Sequence, residues 1–145
     1  MAESAIEGKI ALVTGAAKGL GRAISLKLAD KGVRLALNYK SSGDEAQEVA
    51  WAIKKKGGEA IAIQADVSNA SQVTAWVNQV EEEMGTVDIL VNNAAILVPG
   101  SIETVQPRHL DLIWQIDLRG PLLLIRDCVP HMRAAGGGHK QPTDS

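Results

Sequence analysis

The densest concentration of possible chemistry is Thr14-Gly15-Ala16-Ala17-Lys18-Gly19-Leu20-Gly21, which carries three glycines in eight residues. It follows the apolar run Ile10-Ala11-Leu12-Val13 and opens into Arg22-Ala23-Ile24-Ser25-Leu26-Lys27-Leu28-Ala29, which reads as a helix. Glycine accepts positive φ and lets a ligand approach the backbone without a Cβ in the way. A helix start adds free N–H groups and partial positive charge. Strand, glycine turn and helix start together make a cradle for a pyrophosphate. A tight turn with no ligand is the plainer alternative.

Other residue types that could do chemistry are sparse. Asp66-Val67 and Asn92-Asn93 stand where apolar runs end, and Lys18 and Lys40 are cations near the same ends. The one tyrosine is Tyr39 and the one cysteine Cys128. One cysteine allows no internal disulfide, which suits a reducing compartment. His109, His131 and His139 show no metal-ligand spacing with Cys128, so no metal site is expected.

These residues need elements to position them, and 145 residues are enough for one domain with a real core. A composition 46% hydrophobic and 22% charged is that of an ordinary globular protein. The net charge of −2 carries no basic footprint, so nucleic acid is excluded as an expected partner. Neither a signal pattern nor an apolar run of membrane-spanning length is found, and a cytoplasmic protein is expected.

Residues 9–14 read as a buried parallel strand. In the helix after the glycines, Leu20, Ile24 and Leu28 form an apolar face, with Gly32 as its stop. Residues 33–38 are a second strand. Ala46, Val49, Ala50 and Ile53 then mark an amphipathic helix over 43–56. A third strand at 60–65 precedes a helix with Val73, Trp76, Val77, Val80 and Met84 inward, and Ser68-Asn69-Ala70-Ser71 supplies its N-cap candidates. The fourth strand is 87–91. Strands alternating with helices predict an α/β, doubly wound parallel sheet with right-handed crossovers. Beyond Asn92 the pattern turns helical. Leu110, Ile113 and Trp114 give one face and residues 118–129 another, with Pro121 in a first turn and Pro130 ending or kinking the helix. The polar segment 139–145 reads as a disordered tail after an incomplete domain at 1–138.

Thr14-Gly15-(three residues)-Gly19-Leu20-Gly21, then Asp66-Val67, then Asn92-Asn93-Ala94-Ala95 come in an order and at spacings that resemble the short-chain dehydrogenase/reductase family, particularly its classical 3-oxoacyl-carrier-protein-reductase-like branch. The resemblance runs from Gly8 to about Gly138 and implies a Rossmann-like fold. It implies a cofactor site in which Thr14, Gly15, Ala17, Lys18, Gly19, Leu20 and Gly21 hold the pyrophosphate. Asp66, beside Val67, would accept from the adenine amino group. Asn93 and Ala94 would face the ribose, with Asn92 and Ala95 in the same segment, Ala95 standing where the family usually has glycine. Asp66 could instead cap a turn, and Asn92 could satisfy strand-end groups only.

The end of the second strand, Asn38-Tyr39-Lys40-Ser41-Ser42, holds no acid. An NAD site uses a carboxylate there for the ribose hydroxyls. Lys40, Ser41 and Ser42, with Lys18 nearby, could instead bind a 2′-phosphate, so NADP(H) is expected over NAD(H). A solvated loop lysine is the alternative for Lys40.

The family's chemistry is hydride transfer to or from a carbonyl or alcohol substrate. A tyrosine acts as acid/base, a lysine four positions on lowers its pKa, and a serine polarises the carbonyl. Four positions after Tyr39 stands Gly43, and no tyrosine–lysine pair exists in the sequence. Asp117 occupies the position of the family's catalytic asparagine. Pairing with Arg119 or a backbone group is its other role. No residue is assigned as catalytic. The resemblance therefore implies a Rossmann-like unit truncated after the fourth strand and the helices that follow it. Two functions remain open: an NADP(H)-dependent oxidoreductase by ancestry, and a catalytically inactive nucleotide-binding or dimer-interaction fragment, pairing with itself or a full-length relative. A fragment that never folds stably is a third. The exposed fourth strand and the helix of Leu122, Ile125 and Val129 predict a tendency to associate.

Overall fold

The computed structural model describes residues 5–136. Four parallel strands, β1 (Ile10–Val13), β2 (Arg34–Tyr39), β3 (Ala60–Gln64) and β4 (Ile89–Val91), form a sheet in the order β3-β2-β1-β4. Helices α1 (Gly19–Asp30), α2 (Gly43–Lys55) and α3 (Ala70–Glu83) make the crossovers. This is the Rossmann-like α/β arrangement expected. The order reverses between β1 and β4, so the crevice beyond their carboxyl ends is where such sheets hold ligands.

Alternation within β1 divides the core. Ile10 and Leu12 join Val73, Trp76, Val77 and Val80 of α3 on one face. Ala11 and Val13 join Leu35, Leu37, Val49 and Ile53 on the other. The faces of α2 and α3 are those the spacing predicts. Asn69 is the cap of α3, its Oδ1 accepting from the Gln72 N–H.

Helix α1 departs from expectation in its first turn. Leu20 is 68% exposed while Gly21 and Ser25 are buried, and Leu28 packs against the core as expected. Two small residues let α1 lie close against the strand ends, where a leucine would hold it off. The Ser25 hydroxyl donates to the Gly21 carbonyl at 2.8 Å, within its own helix. Pro130 does not end its helix, the first of the two outcomes expected for it.

After β4 the chain forms α4 (Pro107–Ile113), a π-helical stretch (Trp114–Arg119) and α5 (Gly120–Ala134), joined through residues with right-handed helical dihedrals. Pro130 lies inside α5, four residues before its end. Packing holds that last turn: Leu124 and Cys128 are fully buried, and His131 Nδ1 lies 3.8 Å from Glu81 of α3. The disordered tail expected at 139–145 lies outside the described residues. Among those described, no helix is long and apolar enough to cross a membrane.

Burial, chiefly, and the nearby Asp127 and Glu81 carboxylates push the Cys128 thiol up to about 12. A thiol raised in this way stabilises the fold fully below its unfolded pKa, about 8.5. That contribution is lost as pH rises toward the folded value. Cys128 is therefore expected to resist alkylation at pH 8 until urea unfolds the chain. The fall in urea midpoint above pH 9 should be shallower in Cys128→Ala than in the parent. Rapid labelling of the native protein would show that α5 is not seated on α3.

Candidate functional site

The ends of all four strands meet at one hydrogen-bonded knot. The Thr14 hydroxyl, buried just past β1, accepts from the N–H groups of Asn93 and Ala94, each at 2.9 Å. The Asn93 amide donates back to the Thr14 and Gly15 carbonyls at 3.2 and 3.1 Å. Asn38, 2% exposed, accepts from the Gly15 N–H at 3.3 Å and donates to the Ala65 carbonyl at 2.8 Å. The Ala16 N–H is taken by the Asn38 carbonyl at 2.9 Å. The glycine turn is thus tied to the ends of β2, β3 and β4 before any ligand arrives.

Glycine is required here for two separate reasons. Gly15 and Gly19 have φ of +59° and +54°, the left-handed region. At Gly21 the backbone is ordinary, but a Cβ would stand 2.1 Å from the Gly15 carbonyl oxygen and 2.5 Å from the Asn93 side chain. The N-cap of α1, Lys18, makes no side-chain cap. The first-turn N–H groups of α1 therefore remain available to an outside acceptor.

The crevice above the knot is a cleft of about 310 Å³. Gly15, Asn38 and Lys40 form one wall, Asp66 and Val67 another, and Asn93, Ala94 and Ala95 a third. A smaller cleft of about 180 Å³ shares Gly15 and Lys40 and adds Ala17, Lys18, Tyr39, Ser41 and Ser42. Most of the expected site residues are therefore brought together. Thr14 and Gly21 lie beneath the turn, and Leu20 is exposed at the start of α1. Asn92 is exposed as well, and the strand-end role open to it falls to Asn93.

Asp66 does cap a turn: its Oδ1 accepts from the Ser68 N–H and hydroxyl at 2.9 and 2.7 Å. Its Oδ2 stands 3.6 Å from Lys40 Nζ. Partial burial pushes the carboxyl upward, but the Ser68 donors and Lys40 outweigh it and hold Asp66 below the ordinary carboxylate range. Lys18 Nζ lies 3.6 Å from Glu45 Oε1. Asp117, in the π-helical stretch, accepts the Ile96 N–H at 3.0 Å, while Arg119 donates to the Ser68 carbonyl at 2.7 Å. Of the two alternatives for Asp117, the backbone partner is the one observed.

Sequence reasoning passed over Ala65 and Ile116, which also line the cleft, and Glu45. Ala65 ends the β3 run, a position that points to the crevice in such sheets. Nothing in the local pattern pairs Glu45 with Lys18.

The model for short chain dehydrogenases matches residues 9–139. The chain belongs to the short-chain dehydrogenase family. Among its relatives, trihydroxynaphthalene reductase of Pestalotiopsis fici is 35% identical over 94% of this chain and 48% of the relative. A metagenomic short-chain oxidoreductase solved in complex with NADP superposes with a TM-score of 0.87 at 35% identity, covering 94% of this chain and 62% of that one. L-Sorbose reductase of Gluconobacter frateurii, solved with NADPH and L-sorbose, gives 0.88 at 33% identity, covering 94% and 52%. This short-chain dehydrogenase chain spans about half the length of the relatives it matches.

The Gly21 geometry predicts a ranking within the turn. Gly21→Ala should cost about 3 kcal/mol of stability, because backbone rather than a flexible side chain must move. Gly19→Ala has open space and should cost only the left-handed conformation, about 1 kcal/mol. Urea unfolding of the two variants checks this, and the reverse ranking would refute the close approach of α1 to Gly15.

Proposed function

We propose that residues 1–138 are the nucleotide-binding unit of an NADP(H)-dependent oxidoreductase acting on a small carbonyl or alcohol substrate. The observation that carries this reading is the pairing of the two clefts. One presents a tethered glycine turn and Asp66, and the other presents Lys18, Lys40, Ser41 and Ser42 with no carboxylate in its lining. In this reading the turn and the start of α1 hold the pyrophosphate, and Asp66 accepts from the adenine. Asn93 and Ala94 border the ribose, and the two lysines with the serine hydroxyls hold a 2′-phosphate. Complexes of related proteins with NADP and NADPH support the choice.

When bound, the nicotinamide supplies hydride to a carbonyl or accepts it from an alcohol. This chain's own contribution is to bind and orient. Its sequence holds no tyrosine–lysine pair, and Asp117 already serves as a backbone acceptor. An ionised carboxylate at that position accepts hydrogen bonds and does not donate them. We therefore propose that the chain as given binds nucleotide without turning substrate over. The buried free thiol of Cys128 supports a reducing, cytoplasmic setting.

Titration with NADPH and NADH, followed by nicotinamide fluorescence, tests the reading. Saturable binding of both, tighter for NADPH, is expected. Lys40→Met should weaken NADPH about tenfold and leave NADH nearly unchanged, as loss of a charge-assisted phosphate contact predicts. Equal affinity for the two cofactors in the parent would overturn the NADP(H) preference.

A specific observation also favours self-association. Leu110, Trp114, Leu118 and Leu122 recur every fourth residue along the α4–π–α5 rod and are each about half exposed. In a pure α-helix such a row drifts around the axis by about 40° per step. The π-helical stretch at Trp114–Arg119 has more residues per turn, so the step from Trp114 to Leu118 drifts the other way and offsets part of that rotation. Exposed apolar side chains recurring along one rod favour an interaction surface, and β4 adds an edge paired only with β1 among the described residues. A second copy of this chain is the proposed occupant. Sedimentation should show a concentration-dependent dimer that Leu118→Asp shifts to monomer; a parent that stays monomeric at all concentrations would refute it.

A further inference from the structure

Each cation of the smaller cleft has a carboxylate beside it, and the two carboxylates differ in kind. Asp66 lines the main cleft and is engaged by Ser68. Glu45, in the first turn of α2, lines neither cleft, and within 4 Å its one charged partner among the described residues is Lys18. Its side chain is 46% exposed and that of Lys18 65%, so both are free to re-orient.

We propose that Glu45 sets cofactor specificity by opposition: it occupies Lys18 and so holds the preference for a 2′-phosphorylated nucleotide below what Lys18 and Lys40 would otherwise give. The inference rests on the NADP(H) reading above. A phosphate dianion reaching Lys18 must displace the Glu45 carboxylate and then remain within its field. A nucleotide with two ribose hydroxyls in that place meets no such repulsion, so Glu45 acts on the difference between the cofactors and not on their shared contacts. The acidic start of α2 also favours the helix, but Asp44 supplies that as well.

The test is titration of the parent, Glu45→Gln and Glu45→Ala with NADPH and with NADH at low and high salt. Glutamine keeps the length and the helix propensity of the side chain while removing its charge. Both variants should tighten NADPH about threefold to fivefold at low salt, the scale of an exposed ion pair, and leave NADH unchanged. High salt should shrink the gain. In a Lys18→Met background the Glu45→Gln gain should largely disappear. An unchanged or lowered NADPH-to-NADH preference in both Glu45 variants would overturn the inference and leave the cofactor reading standing. So would an undiminished gain without Lys18. A parent that binds neither nucleotide would instead overturn the cofactor reading, and this inference with it.

Discussion

The site depends on one hydroxyl oxygen and two amides. Thr14 Oγ1 gathers two backbone N–H groups from the chain leaving β4, and Asn93 returns its amide to the chain leaving β1. Asn38, on β2, accepts the Gly15 N–H and donates its own amide to the Ala65 carbonyl beyond β3. Each bond is modest in isolation, about 1 kcal/mol net, but a buried polar group left without its partner costs more. The bonds therefore stand or fall together. A glycine turn that would be loose on its own becomes a fixed surface, and much of the conformational cost of binding is met in folding.

Close packing follows from that constraint. Helix α1 must start within contact of Gly15, which leaves no room for a side chain at position 21. It also favours Ser25 over a large apolar residue one turn on. The helix trades hydrophobic area for proximity. Its first amides then sit beside the crevice where the sheet order reverses, the geometry suited to an anion.

Much of this was legible in the sequence, for physical reasons that can be named. Helices α2 and α3 bury their apolar positions at 3.6-residue spacing, so Ala46, Val49, Val73 and Val77 read correctly from periodicity alone. Leu20 misled because periodicity assumes that large side chains point inward along the whole helix, whereas the first turn of α1 approaches the strand ends through Gly21 and Ser25. Pro130 does not end α5, because local propensity ignores the burial of Leu124 and Cys128 that carries the helix past it. In the site, Asp66, Asn93 and Ala94 were legible through the family resemblance, and Lys40 through its place at the end of the second strand. The division of labour between Asn92 and Asn93 was not, since only register decides which amide turns toward β1. The Glu45–Lys18 contact joins residues 27 positions apart on different helices, and no local pattern encodes it.

The glycine turn is held in place by the protein's own hydrogen bonds. Amide hydrogen exchange resolved by residue, with and without NADPH, tests this most directly. Without nucleotide, the Gly15, Asn93 and Ala94 amides should exchange no faster than those of β1, because all are tied into one knot. The amides at 18–20, which have no side-chain cap, should exchange quickly and become protected when NADPH is added. Fast exchange at Asn93 and Ala94 in the free protein, with protection appearing only on binding, would contradict the account. The turn would then be organised by the nucleotide rather than by Thr14 and its partners.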